Sequence, residues 1–154
     1  MMVINMKPEM LTQMLATVPF NGWMNVQVTD LKPGEATCTL DPRKDLLNHI
    51  GTLHAAVQFG LAESACGVAI ASSLPGGLMA YTPLITQVNF QYVAPLLGQG
   101  TARATIEPHA LQTMLSELEN AGKTRVNVQV EVSGEDGVVA GSGTLAWYVR
   151  KNQS

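Results

Sequence analysis

Between Asp45 and Arg103 the chain carries one formally charged side chain, Glu63, inside a proline-free and mostly apolar run from Leu53 to Leu74. An ionised carboxylate is costly in a wholly apolar setting, so Glu63 must be paired, protonated or open to a wet pocket. No Lys or Arg stands at helical spacing from it. The plain alternatives are a solvent-facing stripe, or a tie to a backbone amide or to a cation from a distant strand. Just ahead of the run, "NHIGTLHAA" places Asn48, Gly51 and His54 before Ala55. If the run is a helix, its first amides, near Leu53 to Val57, lack intrahelical partners and lie at the end of a dipole that favours developing negative charge. An amide that polarises a carbonyl and a carboxylate that activates water, or attacks directly, are the two parts needed to hydrolyse an acyl derivative. In this reading the Ala55 amide meets the carbonyl oxygen and Glu63 does the rest. Eight residues separate them, about 12 Å of helix rise. One carbonyl cannot touch both within one chain, so joint action requires two subunits with central helices side by side in a symmetric dimer.

Other reactive side chains have plainer readings. Cys66 follows Glu63 by three residues but has no adjacent base, and it reads with Cys38 as a small buried residue of a reducing compartment. His49 reads as a surface loop residue and His109 as a strand-end or helix-start residue. Thr86 is the one polar residue on the apolar face of its strand and is a candidate pocket residue, although threonine is also an ordinary strand former. No Cys or His pair has zinc spacing. "LPGGLMAY" lacks the lysine and the preceding strand of a phosphate loop.

The elements that must hold these residues follow from periodicity. "KPEMLTQMLATV" repeats apolar residues at Met10, Leu11, Met14, Leu15 and Val18 behind Pro8, which predicts an amphipathic helix within residues 1–20 that ends before Pro19. "NVQVTDLKPGEATCTLD" alternates on both sides of a turn and predicts a hairpin. Residues 53–74 are apolar on nearly every side, the mark of a buried helix, closed by Pro75, Gly76 and Gly77. Alternation then predicts strands at "LITQVNFQYV", with Leu84, Val88, Phe90 and Tyr92 on one face, and at "TARATIE", "TRVNVQVEV" and "GVVAGSGTLAWYV". A short helix at "HALQTMLSELENAGK" interrupts them. The sheet must bury one face, and only the helix at 53–74 is apolar enough to receive it. That is an α+β hotdog architecture, a curved antiparallel sheet around one long helix, with residues 1–154 forming one domain.

Composition bounds the rest. The chain has 154 residues, 46% hydrophobic and 14% charged, with a net charge of -3 and basic residues scattered along its length. Nothing here supplies a broad basic face for nucleic acid, and the apolar surplus predicts a subunit interface. The N-terminal stretch lacks the basic and apolar regions of a secretion signal. His54, Gln58 and Glu63 make residues 50–74 too polar for a membrane span. A cytoplasmic homo-oligomer, a dimer or dimer of dimers, is expected.

"NHIGTLHAAVQFGLAES" resembles the signature of the hotdog-fold acyl-CoA thioesterases of the 4-hydroxybenzoyl-CoA and phenylacetyl-CoA type. That signature is an Asn or Gln, five residues, a His followed by two Gly, and an acid nine positions after the His. The closing stretch "GKTRVNVQVEVSGEDGVVAGSGTLAWYV" is similar to a poorly characterised branch of the same superfamily. The resemblance covers roughly residues 20–150. It implies Glu63 as general base or nucleophile, the Ala55 amide as carbonyl polariser, Asn48 as positioner of water or thioester, and His54 as an orienting group at the helix start. Gly51 and Thr86 complete the expected site as substrate-binding residues. The substrate implied is an acyl-CoA, hydrolysed to acid and CoA without metal or bound cofactor, in active sites shared between subunits. One departure stands out: Ala55 and Ala56 replace the two glycines, and their methyl groups crowd the approach that glycine leaves open. The same fold also serves acyl-thioester hydratases or dehydratases and non-catalytic acyl-CoA-binding proteins.

Overall fold

Prolines set the N-terminal segment of the computed structural model, which describes residues 6–153, the side chain of Leu78 excepted. Pro8 opens α1 (Pro8–Ala16), and Pro19 opens a second helix, α2 (Pro19–Met24), where the sequence predicted only a break. Proline serves both as a stop and as a first residue, because its missing N–H is an orphan in the first turn anyway. Asn25, at φ +61°, ends α2. The first five residues of the expected N-terminal helix lie outside the described residues.

Six strands follow: β1 (Gln27–Lys32), β2 (Glu35–Leu40), β3 (Tyr81–Tyr92), β4 (Gly100–Thr105), β5 (Lys123–Ser133) and β6 (Val139–Lys151). They form one antiparallel sheet in the order β1-β2-β4-β5-β6-β3. Val126, Val128, Val130 and Val132 alternate inward along β5 as predicted, and with Ala102, Ala104, Leu145 and Trp147 they build the concave wall of the core. The helix α3 (Ala55–Ala71) lies in that concavity, with Leu61, Ala62, Ala65, Cys66, Ala69 and Ile70 sealed against it. The small turn α4 (Gly77–Ala80) leads into β3, and α5 (Pro108–Ala121) fills the predicted interruption with Met114 and Leu118 inward. This is the α+β hotdog architecture.

Three expectations need correction. First, α3 is shorter than residues 53–74. Leu53 is held in an isolated bridge to Leu47, so the helix cannot start before Ala55. At the other end the Ser72 hydroxyl donates to the carbonyls of Ala69 and Lys32, and the helix stops before Pro75 is reached. Second, α3 is not buried all round. Ala55, Ala56, Phe59, Glu63 and Gly67, spaced to fall on one side, remain uncovered or half-covered. Third, β3 does not bury a face of Leu84, Val88, Phe90 and Tyr92. It is the last strand of the sheet, with a bulge between Ile85 and Gln87 that moves Leu84 opposite outward-facing Tyr148 while Val88 lies opposite buried Leu145. Leu84 is 51% exposed, Val88 43% and Tyr92 50%. Alternation identifies a strand, but not whether a neighbour within the same chain covers it.

Candidate active site at the start of the central helix

The residues ahead of α3 form a tight loop organised by Asn48. Its Oδ1 accepts the amides of Ile50 and Thr52, each at 3.1 Å, and its Nδ2 donates to Thr52 Oγ1 at 2.8 Å. Its backbone amide also donates to the Thr52 carbonyl at 2.8 Å. Asparagine suits this work because its short carboxamide can satisfy backbone amides two and four residues ahead. Gly51 occupies the exposed tip at φ +81°, a left-handed conformation that favours glycine, with no protein atom within 4 Å of where a side chain would start.

His54 is the N-cap of α3. Its extended backbone (φ -61°, ψ 144°) ends the loop, and its Nδ1 accepts the Ala56 amide at 3.0 Å. Its carbonyl accepts the amides of Val57 and Gln58, each at 2.9 Å. Of the first amides of the helix, that of Ala55 is the one with no partner among the described residues. Ala55 is solvent-exposed, and its carbonyl accepts the Tyr92 hydroxyl at 3.3 Å, which ties the helix start to the edge strand. Replacing His54 with Ala is expected to lower stability by about 1 kcal/mol, the usual loss of an N-cap, whereas His54→Asn should recover most of it. Denaturant unfolding of the two variants measures this, and any activity lost in His54→Asn then belongs to the imidazole.

Glu63 sits two turns along on the open stripe, half-buried. The ion pairs among the described residues are Lys32 with Glu35 and Arg43 with Asp45, so no cation neutralises it. Burial pushes its carboxyl above the ordinary carboxylate range. A proton acceptor so tuned works closer to neutral pH than a solvated glutamate. Phe59 and Gly67 flank it one turn to either side, and Trp147 closes the far end, 3.8 Å from where a side chain on Gly67 would begin. Cys66 and Cys38 are sealed in the core. Burial raises the Cys38 thiol to about 12 and raises that of Cys66 further, with Glu63 and Cys38 adding to the latter.

The structure therefore gathers Asn48, Gly51, His54 and Ala55 in one loop and helix start, with Glu63 on the same open stripe as Ala55. Thr86 stands apart. It lies at the β3 bulge with its hydroxyl donating to the Ala146 carbonyl at 3.1 Å, and it makes no hydrogen bond to the others. His49 is exposed in the loop, and His109 lies in the first turn of α5. Sequence reasoning missed an aromatic group beside the helix start. Phe90 meets Phe59 edge-on with centroids 6.4 Å apart and Tyr92 at 5.0 Å. It also passed over Gln58, 3% exposed, whose Nε2 has no hydrogen-bond partner. Like Glu63, Gln58 is a polar residue in a mostly buried helix, a contrast visible in the sequence. Among the described residues no group of three His, Cys, Asp or Glu is arranged for a metal, and no helix is long and apolar enough to cross a membrane.

Sheet order and enclosed helix together are the hotdog fold. Solved structures share it over nearly the whole chain. A Pseudomonas aeruginosa protein of unknown function, described as a probable thioesterase, superposes with a TM-score of 0.82 at 18% identity, covering 98% of this chain and 100% of its own. A thioesterase from Haemophilus influenzae gives 0.76 at 19%, covering 97% and 94%. A mutant thioesterase from Pseudomonas aeruginosa gives 0.76 at 17%, covering 96% of each chain. The chain belongs to the family described as a domain of unknown function (DUF4442), whose pattern matches residues 8–149. No curated protein matches it.

Proposed function

We propose that the protein hydrolyses acyl-CoA thioesters to a free acid and CoA. The observation that carries this reading is the pairing, on one uncovered stripe of α3, of an unpartnered Ala55 amide with an unneutralised, half-buried Glu63. The amide draws electron density onto the thioester oxygen. Glu63 either removes a proton from the attacking water, or attacks the carbonyl itself to form an anhydride that water then hydrolyses to the free acid. In both routes the C–S bond breaks and CoA leaves as its thiol. CoA enters only as part of the substrate, and no bound cofactor takes part.

The site is completed by a second copy of the chain. β3 presents twelve residues of edge with Ile85, Val88 and Tyr92 exposed, and an exposed apolar edge is a template for another strand. Pairing two such edges about a two-fold axis sets the open stripes of the two α3 helices face to face and antiparallel. Phe59 is midway between Ala55 and Glu63 in sequence. Helices crossing there bring the Ala55 of one protomer beside the Glu63 of its partner, since each lies about 6 Å from the crossing point. Two equivalent sites result, each with residues from both chains.

The test is free-thiol release from a panel of short, long and aromatic acyl-CoAs. Release with at least one class supports the reading and names the acyl group. Tight acyl-CoA binding without release across the panel would make this a binding protein.

A further inference from the structure

We infer that Gln58 is a second hydrogen-bond donor to the thioester carbonyl, in the place that the resemblance gives to Asn48; this rests on the thioesterase reading above. Sites that stabilise a developing oxyanion use preorganised donors, commonly more than one. Here the Ala55 amide is free, but the Ala56 amide is occupied by His54 Nδ1. Asn48 is engaged in its own loop, its oxygen holding two amides and its nitrogen bound to Thr52. Gln58 is in the opposite condition, buried and with its nitrogen unpartnered. Buried side-chain nitrogens without a partner are rare in folded proteins, and each calls for an explanation.

Its position supplies one. A helical side chain leans over the turn that precedes it, so the Gln58 carboxamide covers the turn that begins at Ala55. Its Nε2 and the edge of the Phe90 ring both lie against Gly141, where no side chain could fit beside them. Gly141 pairs with Tyr92, the residue whose hydroxyl binds the Ala55 carbonyl. Gln58, Phe90, Tyr92 and Ala55 thus form one connected group at the helix start. The Phe90 ring belongs to the edge strand and lies on the same side of Gly141 as the carboxamide. A thioester entering along the stripe turns that ring aside, and its carbonyl oxygen then accepts from the Ala55 amide and from Gln58 Nε2.

The experiment compares Gln58→Met, which keeps the side-chain length without the amide, and Gln58→Asn, which withdraws the amide by one methylene. Each is measured for kcat on the best thioester of the panel and for thermal stability. The infrared carbonyl band of that thioester is also recorded, bound to Glu63→Gln protein with and without Gln58→Met. The expected result is a fall in kcat of roughly 10²-fold in both variants. Gln58→Met should have an unchanged or higher melting temperature, because an unsatisfied donor is gone, and its carbonyl band should move to higher frequency. Wild-type kcat with an unmoved band overturns the inference. So does a lowered melting temperature with an unmoved band, which makes Gln58 a packing residue. A wild-type protein that releases thiol from no thioester would instead bring down the thioesterase reading, and this assignment with it.

Discussion

Replacing Glu63 with Gln should cut thioester hydrolysis by roughly 10²–10⁴-fold, the range for a positioned acid-base group, while making the folded protein more stable at neutral pH. The two effects share one cause. Burial disfavours the charged form of Glu63, so the folded chain holds this proton to a higher pH than the unfolded chain, which releases it near the ordinary value of 4.5. The folded state therefore binds more protons between those two pH values, and stability falls as pH rises through the raised native value. Below 4.5 both states are protonated and the penalty is absent. Glutamine has the same shape and no charge, so its stabilising effect should appear at neutral pH and vanish in acid. The wild-type rate should fall on the acid side at a higher pH than a solvated glutamate would give, because the active form is the carboxylate. Thermal melts of both proteins across pH, with the pH profile of kcat/KM, measure this. A destabilised Glu63→Gln protein at neutral pH would place Glu63 in a structural hydrogen bond instead.

A charge in the middle of the edge strand should be nearly as damaging to activity without touching the chemistry. Val88→Lys puts an ammonium group among Ile85, Phe90 and Tyr92 on the edge that the proposed dimer would cover, and edge lysines are a common block to strand pairing. Light scattering should show monomers, circular dichroism an unchanged fold, and the assay a loss of at least about 10²-fold, because each site then lacks half of its residues. Complementation gives an independent reading of the same interface. Ala55 is the first residue of α3, behind an extended His54, so Ala55→Pro fits the helix and removes the free amide. Ala55→Pro and Glu63→Gln chains should each be inactive alone. Mixed at random, half of the dimers are hybrids with one intact site, so activity should return to about one-quarter of wild type. No recovery would mean that Ala55 and Glu63 do not act on one thioester across two chains.

The sequence carries much of this protein openly. Strict alternation of Val126, Val128, Val130 and Val132 determined β5 residue by residue, and the helical spacing of Met114 and Leu118 determined α5, because a side chain must turn toward apolar neighbours at the period of its own element. The isolation of Glu63 in an apolar run marked the candidate site before any contact was known, and the spacing from Ala55 means that the two can act together only across two subunits. Tertiary structure decided what period alone leaves open. Asn48 and Gln58 are both carboxamides near the helix start. Only the folded loop shows that the first is engaged by Ile50 and Thr52 while the second is buried without a partner. Thr86 belongs to a bulge, and a bulge arises from how two strands register, which no single strand encodes. β3 reads as a half-buried strand yet lies exposed at the sheet edge, since alternation marks a strand and not whether its own chain covers the apolar face.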